Sequence, residues 1–327
     1  MRKVFGLISL ALAGLLLMLS VLAMSWIPGQ VKKTPLGIDT KTYLIGEASA
    51  LPAGGSSPVQ YFSHTVADPE KSTDEFIAFS TFTCLTKVEG ANPPDCVDDK
   101  DPKKRLVNAG TDRFATDRKT ALALEEGYEE YVGEDAEPHT GLINKFPFDV
   151  EKKTYPLWDG VLGRAVDAEF QGEEQLEGLD TYVFRVASKD EPAEIAKDVD
   201  GIYSSTKDVW VDPVTGSMIK QHERQERKLE NGQTVLALDI AFTDETVAAN
   251  VADAKESVDS LSMIDKLPPI AAVLGLLFGL LGLFLLLGRR GDKPAQGDDR
   301  PRDDNGDLGV FDSDDEPTRR RSDIHRD

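Results

Sequence analysis

Residues 219–242 read IKQHERQERKLENGQTVLALDIAF, and this stretch decides the fold class. Its last nine residues place apolar side chains at every second position from Leu236 to Phe242, the alternation of a strand with one buried face. The Asn231-Gly232 pair just before them is the strongest short signal for a β-hairpin. The polar run at 219–229 supplies the partner strand. We therefore predict an antiparallel hairpin whose polar strand faces solvent or lies at an edge.

Further strands are predicted immediately upstream. Residues 181–186 alternate apolar and polar side chains, and residues 209–211 run into the sequence D-P-V-T-G at 212–216. Pro presets φ and Gly accepts a positive φ in such a tight turn. These segments predict a meander of at least four strands, with short helices at 191–197 and within 122–131. The predicted fold class is a mainly β (α+β) ectodomain, an antiparallel sheet of hairpins, flanked by two transmembrane helices.

The turn at 212–216 has a counterpart earlier in the chain. Asp117 and Thr120 stand three residues apart between two apolar stretches, as Asp212 and Thr215 do. Self-similarity within a chain is the signature of an internal repeat. The match leads us to the hypothesis of an internal duplication.

The first apolar block is residues 4–27, which carry no charge. As a helix this block is about 36 Å long, enough to cross a hydrocarbon core of about 30 Å. Arg2 and Lys3 before it, and small residues such as Ala23 near its end, also fit a cleaved signal peptide. Its length, roughly twice that of a signal h-region, favours an uncleaved anchor. Both interpretations place the residues that follow outside the cytoplasm.

The second apolar block, residues 267–288, is also long enough to span a membrane. The prolines at 268–269 are expected in its first turn, where a missing N–H has no cost, and Arg289 follows it as a stop-transfer signal. The positive flanks of the two blocks predict that both chain ends are cytoplasmic. Gly275 and Gly279 form a G-x-x-x-G pattern, which predicts close packing against the first helix or against another copy.

The two blocks divide the chain into five parts. We predict a cytoplasmic N-terminus at 1–3, a transmembrane helix or signal anchor at 4–27, an extracytoplasmic β-rich domain at 28–266, a transmembrane helix at 267–288 and a disordered cytoplasmic tail at 289–327. The tail is rich in Asp, Arg, Gly and Pro and has too few large apolar residues to fold. The predicted localisation is the cell membrane, crossed twice.

The negative charge lies in the middle part of the chain. Of the formal net charge of −21, residues 28–266 carry −20, because residues 1–27 carry +2 and residues 289–327 carry −3. So acidic a chain is unsuited to phosphate recognition, and we expect no nucleic-acid partner. Cys84 and Cys96 are the only cysteines. In an extracytoplasmic compartment we expect them to form one disulfide.

No motif in the sequence predicts catalysis. The four histidines lie at no metal-ligand spacing, and the chain lacks a nucleophile elbow and a phosphate-binding glycine loop. We expect a non-enzymatic protein with no catalytic residue, no metal and no cofactor. The aromatic segment 145–159 is either a loop pinned to the core or a mobile lid over an apolar cavity. The candidate lid or ligand-contact residues are Phe146, Phe148, Tyr155, Trp158 and Trp210.

Three segments resemble the actinobacterial porin PorA family, formerly a domain of unknown function: KFPFDVEKKTYPLWD at 145–159, DVWVDPVTG at 208–216 and AFTDETV at 241–247. The resemblance covers most of the chain before the predicted tail. It implies an actinobacterial cell-envelope protein that forms a water-filled channel and is concerned with transport or handling of envelope material. The predicted strands themselves are too polar and too irregular to face lipid as a transmembrane barrel.

Two alternative functions follow from other features. The strand, turn and strand after Tyr182 are similar to hairpins of envelope lipoprotein carriers of the LolA and LppX type. That similarity implies a lipid-binding carrier ectodomain with an apolar concavity, tethered to the membrane. The second alternative is an envelope scaffold that holds other components. The partners we expect are membrane lipid and, through the transmembrane helices, further copies of the chain.

Overall fold

The computed structural model describes residues 1–50 and 55–288. The predicted disordered tail at 289–327 lies outside these residues. Ten strands and three helices are assigned within them. In chain order they are α1 (Arg2–Val31), β1 (Asp39–Ser49), β2 (Ser56–Asp68), β3 (Phe76–Lys87), β4 (Leu106–Asp117), α2 (Glu129–Val132), β5 (Tyr155–Asp159), β6 (Arg164–Leu176), β7 (Leu179–Ala196), β8 (Val199–Val211), β9 (Met218–Leu229), β10 (Thr234–Phe242) and α3 (Asp244–Leu287).

The strands form one curled antiparallel sheet with the order β4-β3-β2-β1-β10-β9-β8-β7-β6-β5. Each half of the sheet is a meander, in which strands adjacent in sequence are adjacent in space. The halves join where β1 pairs with β10, with Leu44 opposite Phe242 and Ser49 opposite Ala237. The mainly β fold class is confirmed, and so is the hairpin of β9 and β10 around Asn231-Gly232. The polar strand β9 does not lie at an edge as expected, because β8 pairs with its other side, and Glu223 on it is buried.

Part of the connection between β4 and β5 links the two edges of the sheet. We call residues 121–124 and 139–143 the seam. It joins the last residues of β4 to the short strand β5. Four backbone N–H groups donate across it: Leu124 to Ala115 O (2.8 Å), Ala123 to Gly141 O (2.7 Å), Leu142 to Pro156 O (2.8 Å) and Trp158 to Leu142 O (2.7 Å). The sheet is therefore closed at the end where α1 arrives and α3 leaves, which we call the closed end.

The largest core cluster fills the inner face of the sheet at the closed end. Leu142, Phe146 and Val150 of the β4–β5 connection are buried there among residues of β5 to β8. The Phe146 ring centre lies 4.7 Å from that of Phe184 and 5.3 Å from that of Tyr155. Aromatic rings at these separations add to the stabilisation from burial alone. The closed end is consequently packed with side chains.

One predicted short helix is wrong. Residues 191–197, expected to be helical, lie almost entirely in β7, where Glu191 pairs with Tyr203 and Ala196 with Val199. The hairpin partner β8 and the burial of Ile195 outweigh the local helical preference. In the other segment, 122–131, the helix is reduced to α2, and Leu122 instead forms a bridge with Leu142 in the seam.

α3 begins much earlier than the second apolar block. It starts at Asp244, so the prolines at 268–269 lie deep inside a continuous helix and not in its first turn. The extra turns are stabilised because Val251 and Ala254 pack with Leu179 and Ile219 at the closed end. The prolines leave two carbonyls without helical N–H partners, in a stretch exposed enough for water to satisfy them.

The two similar turns have the same hydrogen bonds. In each, the Asp carboxylate accepts from the backbone N–H and the hydroxyl of the Thr three residues later. The fifth residue has a positive φ in both turns, 59° at Ala121 and 76° at Gly216. The shared geometry supports the hypothesis of a duplicated hairpin.

Candidate functional site

α1 and α3 pack as an antiparallel hairpin along a stripe of small residues. The Ser20 hydroxyl donates to the Pro268 carbonyl oxygen at 2.8 Å. A Cβ built on Gly282 would lie only 2.9 Å from the Gly6 carbonyl oxygen. Small residues let helix backbones approach this closely. Three layers, spaced seven residues apart on each helix, define the register: Gly6 with Gly282, Ala13 with Gly275, and Ser20 with Pro268.

The predicted packing residues lie in this interface. Gly275 is buried, and a Cβ on Gly279 would lie 3.7 Å from the Ala13 Cβ. Both glycines contact α1 of the same chain, and packing against another copy stays a prediction. The serines at 9 and 20 are buried, so the outward surface of the hairpin is apolar. Both helices are long and apolar enough to cross a membrane, and their apolar stretches, residues 4–27 and 267–287, contain no ionisable side chain that could line a pore.

Charged side chains lie on the inner face of the sheet, beyond the core of the closed end. We call Tyr61, Tyr203, Lys207, Glu223 and Arg227 the inner polar layer. Lys207 Nζ lies 3.2 Å from Glu223 Oε2 across β8 and β9, and both side chains are largely buried. Two neighbouring glutamines of β9 each donate to the Glu223 carboxylate at 3.2 Å. A buried ion pair needs such additional hydrogen bonds to offset its desolvation.

Burial and neighbouring carboxylates shift the pKa values of three groups in the layer. Burial alone would lower the pKa of Lys207, but Glu223 and Asp159 outweigh it and the pKa is raised. Burial, with the same carboxylates, raises the pKa of the Tyr203 phenol. Burial lowers the pKa of the Arg227 guanidinium, which donates to a backbone carbonyl of β7 at 2.8 Å. The arrangement is a satisfied network that fixes side chains in place.

Residues 145–150 lie across the turn between β8 and β9. The Phe146 N–H donates to Gly216 O at 2.8 Å and the Val150 N–H to Pro213 O at 2.7 Å. Gly216 has a φ of 76°, and a Cβ there would overlap the carbonyl oxygens of Phe146 and Pro147. Glycine is therefore required at this position. The motif segments 145–159 and 208–216 thus contact each other in the fold.

Three of the aromatic candidates lie in or beside this contact. Phe146 and Tyr155 are buried in the core, the arrangement of a loop pinned to the core. Phe148 is half-buried, with Lys145 Nζ 3.9 Å from its ring centre. Burial lowers the pKa of Lys145 to about 8, although the Asp212 carboxylate opposes this. The space that a lid would cover is filled by the rings themselves.

The two tryptophan candidates lie elsewhere. Trp158 belongs to β5 and contacts His139 of the seam, with ring centres 4.5 Å apart. Trp210 has Lys220 Nζ 4.4 Å from its ring centre and donates from its indole nitrogen to Glu174 at 2.7 Å. The five aromatic candidates therefore do not line one common cavity.

Cys84 and Cys96 form the predicted disulfide. It holds the loop 88–105 against the outer face of the sheet, where Gln60 Nε2 donates to the Pro94 carbonyl at 3.2 Å. The Tyr43 hydroxyl donates to the Asp95 carboxylate at 3.2 Å. The disulfide therefore fixes a polar covering over β1, β2 and β3.

Two cavities open on strands β6 to β10 and on β1 and β2, with volumes of about 590 and 410 Å³. Hydroxyl and charged side chains line the larger one, among them Ser49, Ser204, Thr206, Arg224 and Glu226. The smaller one is lined mainly by charged residues of β6 and β7. The smaller one lacks the apolar lining that acyl chains require.

Sequence reasoning missed both the inner polar layer and the role of His139. The alternation of β8 places Lys207 on the same face as the buried residues Tyr203 and Val209, so a charge on an otherwise buried face was the available signal. His139 is buried, lies 2.9 Å from Asp112 Oδ2 and connects β4 to the seam. Its partner comes from a distant strand, which no local pattern reveals.

Comparison with known proteins gives the same family name for the family model and for two relatives. The family model described as Porin PorA matches residues 5–284. A protein named Porin PorA from Corynebacterium amycolatum is 33% identical over 97 residues, covering 27% of this chain and 25% of that protein. Another of the same name from Corynebacterium resistens is 24% identical over 289 residues, covering 59% of this chain and 70% of that protein. The match thus spans a quarter of the length of the first relative.

Proposed function

The chain belongs to the Porin PorA family, and from this membership we propose a membrane-anchored envelope protein that conducts small solutes as an assembly of several copies. The observation that carries the proposal is the extent of the family match. Residues 5–284 include both apolar helices and the whole sheet, so the family relationship concerns the complete arrangement and not one hairpin. A porin-type role is non-enzymatic, in line with the absence of a catalytic motif from the sequence.

The packed closed end argues for several copies. Phe146, Tyr155 and Phe184 fill the inside of the sheet at that end, and the inner polar layer crosses it further on. A water-filled passage through the sheet of one chain would require these groups to move apart. A passage enclosed between neighbouring chains needs no such rearrangement.

The helices support membrane anchoring. In the proposed topology α1 and α3 cross the bilayer as a hairpin, both chain ends are cytoplasmic and the sheet lies on the other side. The apolar outward surface of the hairpin suits lipid contact. The sheet itself carries charged residues such as Glu47, Arg224 and Asp239 on its outer face, which suits water.

Bilayer conductance tests this function. Purified full-length protein added to a planar lipid bilayer should give stepwise conductance whose frequency rises more steeply than in proportion to protein concentration. Gly282→Leu should reduce the frequency, because a side chain there overlaps α1, whereas Gly14→Leu has open space and should not. Absence of steps above a mock purification would refute channel formation. Proportional concentration dependence would refute the requirement for several copies.

The lipid carrier finds less support in the structure. A carrier needs an apolar concavity, and the inside of the closed end is occupied by aromatic side chains. A lipid that co-purifies stoichiometrically with the full-length protein, detected by mass spectrometry against a mock purification, would favour the carrier over the porin. The scaffold hypothesis stays a prediction, and no contact among the described residues supports it.

A further inference from the structure

We infer that the α1–α3 hairpin crosses the bilayer tilted, so that the α1 segment 21–27 lies in lipid while the α3 segment beside it lies in water. This inference rests on the proposed membrane anchoring and adds the orientation of the anchor. It identifies the partner of an exposed apolar surface as the headgroup and acyl boundary of the bilayer on the side of the sheet.

The register of the two helices shows which residues of α1 and α3 lie side by side. In each of the three packing layers the residue numbers of the two partners add to 288, as for Ser20 and Pro268. Continuing that register places Ile27 beside Leu261, and both side chains are partly buried. Residues 22–27 of α1 therefore lie beside residues 261–266 of α3.

The two helices differ in chemistry at that level. On α1, the outward side chains Val21, Leu22, Met24 and Trp26 are all at least 50% exposed. On α3, the neighbouring stretch 261–266 contains the charged residues Asp265 and Lys266, both exposed. The apolar surface of α1 thus continues about six residues, or 9 Å, beyond that of α3.

At the opposite end of the hairpin the apolar run of α3 extends beyond that of α1. The apolar run of α1 begins at Val4, which the register places beside Phe284. The run of α3 continues to the end of the helix at Leu287, three residues or about 4.5 Å further. With helix axes 8–10 Å apart, the two offsets correspond to a tilt of roughly 25–50° in the plane of the hairpin. Such a tilt brings both apolar boundaries level with the bilayer surfaces.

Trp26 and the following lysines fit this position. Tryptophan is favoured at the headgroup level of a bilayer. Six and seven residues after Trp26, Lys32 Nζ lies 2.7 Å from Asp149 and Lys33 Nζ lies 2.6 Å from Asp74 of the sheet domain. The rim of the sheet near α1, including the 145–150 segment, would therefore lie against the lipid headgroups.

The α3 side of the sheet stands further from the bilayer. The hydrogen bond between α3 and the sheet that lies furthest along the helix is the one that Lys255 Nζ donates to the Glu177 carbonyl at 2.6 Å. Twelve residues separate this lysine from Leu267, about 18 Å of helix. The difference between the two sides is what a leaning sheet requires.

Spin labels at two matched methionines test the inference in the full-length protein. Met24 is 66% exposed and Met263 is 67% exposed, and they lie at nearly the same height on opposite helices. Because both native cysteines are in the disulfide, Met24→Cys or Met263→Cys provides the single thiol for labelling. The protein is reconstituted in phosphatidylcholine vesicles, and relaxation by oxygen is compared with relaxation by a water-soluble nickel chelate.

We expect oxygen to dominate at position 24 and the nickel chelate at position 263. Equal behaviour at the two positions, or the reverse order, would overturn the tilt. Leu277→Cys, in the middle of the apolar run of α3, serves as the reference for insertion. A label there that responds to the nickel chelate would show that the hairpin is not inserted, which refutes the anchoring and not the tilt alone.

Discussion

Gly216 shows how one residue positions a whole segment. Its φ of 76° and the carbonyl oxygens of Phe146 and Pro147 leave no room for a side chain. Gly216→Ala should lower the free energy of unfolding by about 2–4 kcal/mol, combining backbone strain with steric overlap. Urea unfolding of the full-length protein in detergent, followed by tryptophan fluorescence, measures the loss.

Gly232 is the matched control for this substitution. It has a φ of 84° in the β9–β10 turn, with no atom within 4 Å of its built Cβ. Gly232→Ala should therefore cost about 1 kcal/mol from strain alone. Equal losses for the two variants would show that the contact with residues 146–147 is unimportant.

The lowered pKa of Lys145 should make the stability of the protein depend on pH. Its pKa is lowered from 10.5 to about 8, mainly by burial. Between these values the unfolded chain binds the proton more readily than the folded chain, so this residue makes stability rise as pH increases through that window. Lys145→Met should stabilise the protein at pH 7 by on the order of 2 kcal/mol, less at pH 10.

Unfolding curves at pH 7 and pH 10 for the parent and the variant give the comparison. Lys220→Met, on the outer face of β9, provides the matched control for removing a lysine side chain. A gain from Lys145→Met that stays constant between the two pH values would contradict a buried, protonated Lys145.

At the scale of elements, the seam depends on His139. The imidazole lies 2.9 Å from Asp112, and its ring centre lies 5.6 Å from that of Phe114 and 4.5 Å from that of Trp158. His139→Ala should lower stability by about 2–3 kcal/mol, since it removes a buried hydrogen bond and leaves a cavity. Hydrogen exchange should rise at residues 121–124 and 139–143.

His222 offers a matched histidine for this test. It lies 2.6 Å from Asp239 on the outer face of the sheet and is more exposed than His139. His222→Ala should cost less than about 1 kcal/mol, because the polar contact that it removes is exposed to water. Faster exchange in β9 and β10 from His139→Ala, with the seam unchanged, would contradict the role assigned to His139.

The disulfide acts on the loop between β3 and β4. Replacing Cys84 and Cys96 together with alanine should lower stability by about 3 kcal/mol, because the unfolded chain is no longer constrained. Reductant should lower the melting temperature of the parent and leave that of the double variant unchanged. If reductant affects both to the same extent, the stabilisation does not come from this bond.

At the scale of the whole molecule, the helix register can be tested by cross-linking. Cysteines at Gly6 and Gly282, which occupy the same layer, should form a disulfide on mild oxidation of the full-length protein. Cysteines at Gly6 and Gly275 are a suitable control, because the second position lies seven residues away, about 10 Å along the helix. Cross-linking of the control pair in preference to the first would place the helices in another register.

Local patterns in the sequence determined several features correctly. Residues 4–27 and 267–287 are helical because long uncharged apolar runs favour helix, and 234–242 is a strand because its alternation matches the pleat. The Asn-Gly turn set the β9–β10 connection. The only cysteine pair gave the disulfide. Each of these features depends on residues close together in sequence.

Contacts between distant residues decided the rest. Residues 191–197 are a strand because β8 lies beside them, and α3 extends back to Asp244 because its first turns pack on the sheet. The pairing of β1 with β10, the seam and the burial of Lys207 beside Glu223 also join segments far apart in the chain. A one-dimensional pattern records which face of an element is apolar, whereas the partner of that face is chosen by packing in three dimensions.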